Sequence, residues 1–328
     1  MPATNWIVPA LGLMAAVALI FSPAAADGHH PMRLAHHAAK HAAPAMAIAI
    51  TFDDLPVHTS NLPPGVTPTA IAKAIIHALK ADRAPPTYGF VNAHWLVDQP
   101  QTAEVLKLWR AAGFPLGNHS WSHMDANTNT AEAFEDDVLK DEPTLEKYMG
   151  RADWHWFREP YLHQGETPEK RKTIGDFFAA HHYRIAQVTL SFDDWAYNDV
   201  YARCMAKGDK DAVDWMKDAW LDGASVSLLA SQQMSQTLYG RNINFVLLMH
   251  IGAFDAVMLP KLLEMYKKRG VKLITLPEAE HDPAYADTNQ HFTSGGTMLE
   301  EQMKLRNIPI PPIASDHDTM QKLASLCQ

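Results

Sequence analysis

The feature that most constrains this chain is an alternation. Short apolar runs, each ending in a polar string, are followed by helix-forming segments from residue 45 onward. Residues 45–52 are largely apolar and run into Asp53 and Asp54. Thr67-Pro68 then predicts a helix start, with a hydroxyl N-cap and proline at the first helical position, continuing over 71–80. Further strands are predicted over 87–92, 114–118, 154–157, 183–190, 243–249 and 271–276. Helices are predicted over 101–112 (closed by Gly113), 130–148, 166–182 and about 259–268. Pro143 should break or kink its helix, because proline has no N–H to donate. About seven strands alternating with helices predict parallel β/α units in an α/β fold.

A chain of 328 residues can bury a large core, so one α/β domain with extensions is expected. A formal charge of −9 argues against binding nucleic acid through its phosphates, which needs a basic face. Two segments exceed a minimal repeat. Residues 207–241 form a helical insertion, and the polar stretch 278–328 extends the domain, here bounded at 45–277. Both read as decoration able to shape a substrate groove.

Residues 1–26 carry an apolar run, 6–21, and small residues at Ala24-Ala25-Ala26, the pattern of a cleavable export signal. An uncleaved anchor is the alternative, although the run is short against the roughly 20 residues that span a bilayer. Either reading puts the main domain outside the cytoplasm, periplasmic or secreted, without stable membrane insertion of the mature chain. Residues 27–44 are rich in Ala and His, and they read as a loose metal-capturing tail or a plain linker. Cys204 and Cys327 pair in an oxidising compartment or remain two thiols; spacing does not decide.

Five strings follow the apolar runs in order: Thr51-Phe52-Asp53-Asp54, His119-Ser120-Trp121-Ser122-His123, Arg158-Glu159-Pro160-Tyr161, Asp193-Asp194-Trp195 and Leu248-Met249-His250. In β/α barrels such positions gather at the carboxyl ends of the strands, where the chemistry sits. Adjacent Asp53 and Asp54 are expected to point to opposite sides, one to a metal and one to substrate. His119 and His123, four apart, are expected on one side of a helical turn, a spacing suited to zinc. Asp54 would be a third ligand, leaving room for water. Arg158 can clamp a carboxylate, and Asp194 or its rival Asp193 can orient His250. Taken singly, each string is more often a turn, a surface pair or a structural histidine. Their order changes that balance.

The ordered set resembles the five motifs of the polysaccharide deacetylases, the NodB-homology carbohydrate esterases, over about residues 47–276. The resemblance implies a distorted (β/α) barrel of seven parallel strands. It implies a divalent metal, zinc or else cobalt, nickel or manganese, on Asp54, His119 and His123. Asp53, held by Arg158, would be the general base, and His250, oriented by Asp194, the general acid. The Tyr161 backbone would stabilise an oxyanion, while Trp195 and Leu248 would receive the acetyl methyl. The implied activity removes N-acetyl groups from amino sugars in peptidoglycan or chitin-like glycans. Alternatives are another acyl substrate at the same site (a formyl group on a lipid-linked sugar, an O-acetyl ester) or a glycan-binding barrel without turnover. Leu55-Pro56 stands where the family usually has Gly, so the next loop must take another path.

Overall fold

In the computed structural model, which describes residues 46–286, 295–313 and 317–328, the alternation becomes seven strands with every pairing parallel. They are β1 Ala47–Leu55, β2 Tyr88–Val91, β3 Leu116–Asn118, β4 Trp156–Phe157, β5 Arg184–Ile185, β6 Asn244–His250 and β7 Lys272–Leu273. The order across the sheet is β5-β4-β3-β2-β1-β6, with β7 against the start of β1. After β5 the chain crosses to the other edge. There the N–H groups of Thr189 and Leu190 donate to the Val246 carbonyl, and that of Leu248 donates to Leu190. Bringing one edge beside the other curls the sheet into a distorted, incompletely closed barrel. The expected fold class is therefore observed.

β1 is central, and every residue after Ala47 is buried, as covering both faces of a parallel strand requires. Helices lie between the strands, α1 Pro68–Ala81, α2 His94–Asp98, α3 Ala103–Ala111, α4 Ala131–Met149, α5 Pro168–Ala180, α6 Ala196–Lys207, α7 Lys210–Tyr239 and α8 Ala253–Lys268, and α9 Leu276–Glu280 comes after β7. Two more, α10 Met298–Leu305 and α11 His317–Ser325, follow. The Thr67 hydroxyl accepts from the Ala70 N–H, as the capping pattern predicts.

Several expectations need correction. α4 runs through Pro143 as one helix. Its buried Phe134, Val138, Leu145 and Met149 flank the proline, at about 1.5–3 kcal/mol each, and offset a penalty of about 3 kcal/mol. The strand expected over 183–190 shrinks to two residues, because only Arg184 and Ile185 find partners on β4 before the crossing. Residues 207–241 are not decoration. α7 buries Met216, Trp220, Leu228 and Met234 in the core and contributes nothing to the cleft described below.

Cys204 on α6 is disulfide-bonded to Cys327, which deciding from sequence alone was not possible. Among the described residues no helix is long and apolar enough to cross a membrane. The expectations for 1–26 and 27–44 lie outside the described residues.

Candidate active site

Asp53 and Asp54 sit at the carboxyl end of β1, where the register against β2 shifts between Phe52 and Leu55. Asp54 takes a left-handed φ of 64°. The turn brings both carboxyl groups into one cavity of about 560 Å³, so the expectation that they point to opposite sides fails. The cavity is also lined by His58, His119, His123, Tyr161, Trp195, Leu248 and His250.

His119 follows β3, but the segment to His123 is a loop and not a helical turn. Ser120 and His123 both have positive φ, which breaks helical geometry yet still sets the two rings 4.8 Å apart. Neighbouring side chains hold this loop. The Asn92 amide donates to the His119 and Ser120 carbonyls, and Asp137 on α4 accepts from the Ser122 N–H and hydroxyl. Left-handed residues cost roughly 1–3 kcal/mol each and persist where surroundings fix them. Asp54, His123, Tyr161 and Asp193 all carry that strain at the cavity.

Asp54 Oδ1 lies 3.6 Å from Nε2 of His119 and 3.6 Å from Nε2 of His123. Donors bound to one zinc at about 2.0–2.2 Å in tetrahedral directions stand roughly 3.3–3.6 Å apart, so the set fits such an ion. The proton arrangement fits too. His119 Nδ1–H donates to the Arg158 carbonyl at 2.7 Å, which turns the Nε2 lone pair toward Asp54. Burial pushes both imidazoles down to about 4, against the pull of Asp54, and leaves them neutral. Asp54 itself is held well below the usual carboxylate range: its burial is outweighed by the His58 hydrogen bond and the charges of His123 and His58.

Arg158, fully buried at the end of β4, donates through one guanidinium nitrogen to both oxygens of Asp53, at 3.0 and 3.2 Å. Its remaining donors reach the Ala186 carbonyl and the Thr51 hydroxyl. Burial raises Asp53 to about 6 despite this clamp.

His250 lies opposite Asp53 in the β1–β6 register. Asp194 accepts from its backbone N–H at 2.7 Å and from Nδ1 at 3.1 Å, so Asp194 and not Asp193 is the partner. Burial opposes charge on this ring, but Asp194, then Asp54 and Asp53, push it up to about 10. Asp193 lines the cavity and accepts from the Trp195 indole. Tyr161 and Trp195, 57% and 47% exposed, offer aromatic faces at the rim. Leu248 lines the cavity wall, whereas Trp95 on α2 and Trp121 in the two-histidine string do not.

Sequence reasoning assigned no role to His58 or Glu159. His58 bonds Asp54; its signal was the unusual Leu55-Pro56 path, which returns the chain to the site. Glu159, buried and raised to about 7 chiefly by that burial, lines the same cavity. Beyond α9, Gly295, Thr297, Glu300, Lys304, Ile310 and Ile313 form a wall of the cavity, so the extension expected to shape a groove does line it.

A family model described as polysaccharide deacetylase matches residues 40–173. That match takes in the first three of the five strings and leaves the fourth and fifth outside it. It is 29% identical over 143 residues to a peptidoglycan-N-acetylmuramic acid deacetylase of Bacillus subtilis, covering 43% of this chain and 48% of that one. It is 26% identical over 125 residues to an uncharacterized 30.6 kDa protein of Geobacillus stearothermophilus, covering 38% and 43%. The match thus spans about half the length of these curated relatives. Among solved structures, the chitin deacetylase of Colletotrichum lindemuthianum aligns with a TM-score of 0.46 at 18% identity, over 71% of this chain and 86% of that one.

Proposed function

We propose that this chain is a polysaccharide deacetylase, a metal-dependent hydrolase that removes N-acetyl groups from amino sugars of a peptidoglycan or chitin-like glycan. The reading is carried by one observation: a three-donor Asp/His set, an Arg-clamped carboxylate and an Asp-oriented histidine converge on one cavity. The name of the Bacillus subtilis relative, a peptidoglycan-N-acetylmuramic acid deacetylase, supports an N-acetylated glycan as substrate. Residues 1–26 support an exported site of action.

Asp54, His119 and His123 would hold the ion, zinc by donor chemistry, with cobalt, nickel or manganese as substitutes. When bound it supplies Lewis acidity, which lowers the pKa of water and polarises a carbonyl. Asp53 takes the proton from the attacking water, and a carboxyl near 6 suits a base working close to neutral pH. Arg158 fixes the direction of that carboxylate. The backbone N–H of Tyr161 donates to the oxygen that gains charge as the carbonyl carbon becomes tetrahedral. His250, charged and held through Nδ1 by Asp194, delivers its Nε2 proton to the nitrogen as the C–N bond breaks. Acetate and a free amine result. Trp195 and Leu248 would seat the acetyl methyl and shield it from water.

The test is acetate release from N-acetylglucosamine oligomers by the zinc-loaded chain beside Asp53→Asn. Release by the wild type, reduced about 10²–10⁴-fold in the variant, is expected for loss of a general base. A metal-loaded wild type that releases no acetate would move the site to another acyl group. A chain that binds no metal would end the reading.

A further inference from the structure

His58 lies just outside the five strings yet inside the cavity, and two contacts define its place. Its Nδ1 is 2.6 Å from Asp54 Oδ2, and its ring stands edge-on to His250 with centroids 5.0 Å apart. The backbone explains why it is there. After Leu55-Pro56 the chain turns back, and the His58 N–H donates to the carbonyl of Ile251, just past the end of β6. That bond sets the His58 ring between the end of β1 and the end of β6.

Asp54, His58 and His250 also form a group whose ligand atoms lie close together, so a second cation is the first possibility to weigh. Distance decides against it. Two donors sharing an ion at about 2.0–2.2 Å, at angles of about 90° or more, stand roughly 3 Å apart. At 2.6 Å no ion fits between His58 and Asp54; this is a hydrogen bond to a charged acceptor. A carboxylate only accepts, so Nδ1–H donates and Oδ2 is committed to His58. Oδ1 alone then faces His119 and His123.

We propose that His58 is a positioning residue: by engaging Oδ2 it makes Asp54 a single-oxygen ligand with Oδ1 aimed at the metal, and its ring buttresses His250. The proposal rests on the reading of Asp54, His119 and His123 as metal ligands. Residues that orient a metal ligand typically contribute about 10–100-fold to metal affinity. The exposure of His58, intermediate at the cavity rim, means that its removal leaves no large core void.

The experiment measures Co²⁺ and Zn²⁺ affinity of the full chain by competition with a chromophoric chelator, for wild type, His58→Ala and His58→Asn. The visible spectrum of the Co²⁺ form and the melting temperature of the metal-free form are read alongside. His58→Ala should bind about 10–100-fold more weakly and shift the Co²⁺ absorption, since a freed Oδ2 can also reach the ion. His58→Asn, whose amide can donate from near the Nδ1 position, should recover most of both. If Ala and wild type bind alike with the same spectrum, the proposal is overturned while the metal reading stands. If Asn fails to rescue a variant whose metal-free melting has also collapsed, His58 is structural and the proposal is likewise overturned. A wild type that binds neither ion overturns both.

Discussion

Two carboxylate–imidazole sets share one cavity and are driven in opposite electrostatic directions. In the first, Asp54 is divided among His58, His119 and His123, and burial wins: the His119 and His123 rings fall to about 4. In the second, Asp194 is devoted to His250, accepting from its backbone N–H and its ring, and the ring rises to about 10. The same residue types thus present lone pairs on one side and a proton on the other. What differs is that His250 adds the charge and hydrogen bond of Asp194 to the fields of Asp54 and Asp53, whereas His119 and His123 set chiefly Asp54 against burial and neighbouring positive charge. That division is what a hydrolase needs if one set is to hold a metal and the other to donate to a leaving group.

Removing the orienting carboxylate should have the largest effect. Asp194→Asn should lower kcat by about 10²–10⁴-fold, because the ring loses both its orientation and its charge, while metal affinity stays within a few-fold. Steady-state kinetics beside chelator competition would check this, and an equal loss in both would contradict it. Next comes the clamp shared between chemistry and fold. Arg158→Met leaves Asp53 buried without its ion-pair partner, so unfolding by urea should show a loss of about 3–5 kcal/mol.

A subtler effect is the pH dependence of metal-free stability, where the two sets should act on opposite limbs. His119 and His123 have folded values near 4, below the ordinary 6.5, so the unfolded chain binds more protons between them. Stability from this pair is present above about 6.5 and is lost as pH falls toward 4. His250 is raised to about 10, so its contribution is complete below about 6.5 and is lost as pH rises through 10. Denaturation of the metal-free chain across pH 4–10 should give a dome, and His250→Gln should flatten its alkaline side only. A variant that keeps the alkaline fall would place its origin elsewhere.

How much of this was legible in the sequence follows from what each element depends on. β1 and β6 were readable because long apolar runs buried on both faces have no other use. The order of the five strings located the site, since parallel strands bring their carboxyl ends together whatever the loops do. Backbone detail was not readable. Spacing four apart suggested a helical turn for His119 and His123, whereas positive φ at Ser120 and His123 puts them on a loop pinned by Asn92 and Asp137 from distant segments. The same holds for Asp54, whose turn into the cavity depends on a register shift against β2. α6 went unseen because its burial is set by neighbours remote in sequence. The extension after α9 was expected to shape a groove, but which of its residues reach the cavity, Gly295 to Ile313, depends on contacts that periodicity does not carry. His58 was missed for a simpler reason: its motif was read only up to the proline.

In the proposed division of the site, Asp54, His119 and His123 take the metal and His250 does not. Metal stoichiometry tests it directly, by dialysis against Zn²⁺ and elemental analysis of wild type, His119→Ala and His250→Asn. One equivalent in wild type and in His250→Asn, with none retained by His119→Ala, is the predicted result. Equal loss in both variants would make His250 a ligand and contradict the division of the site.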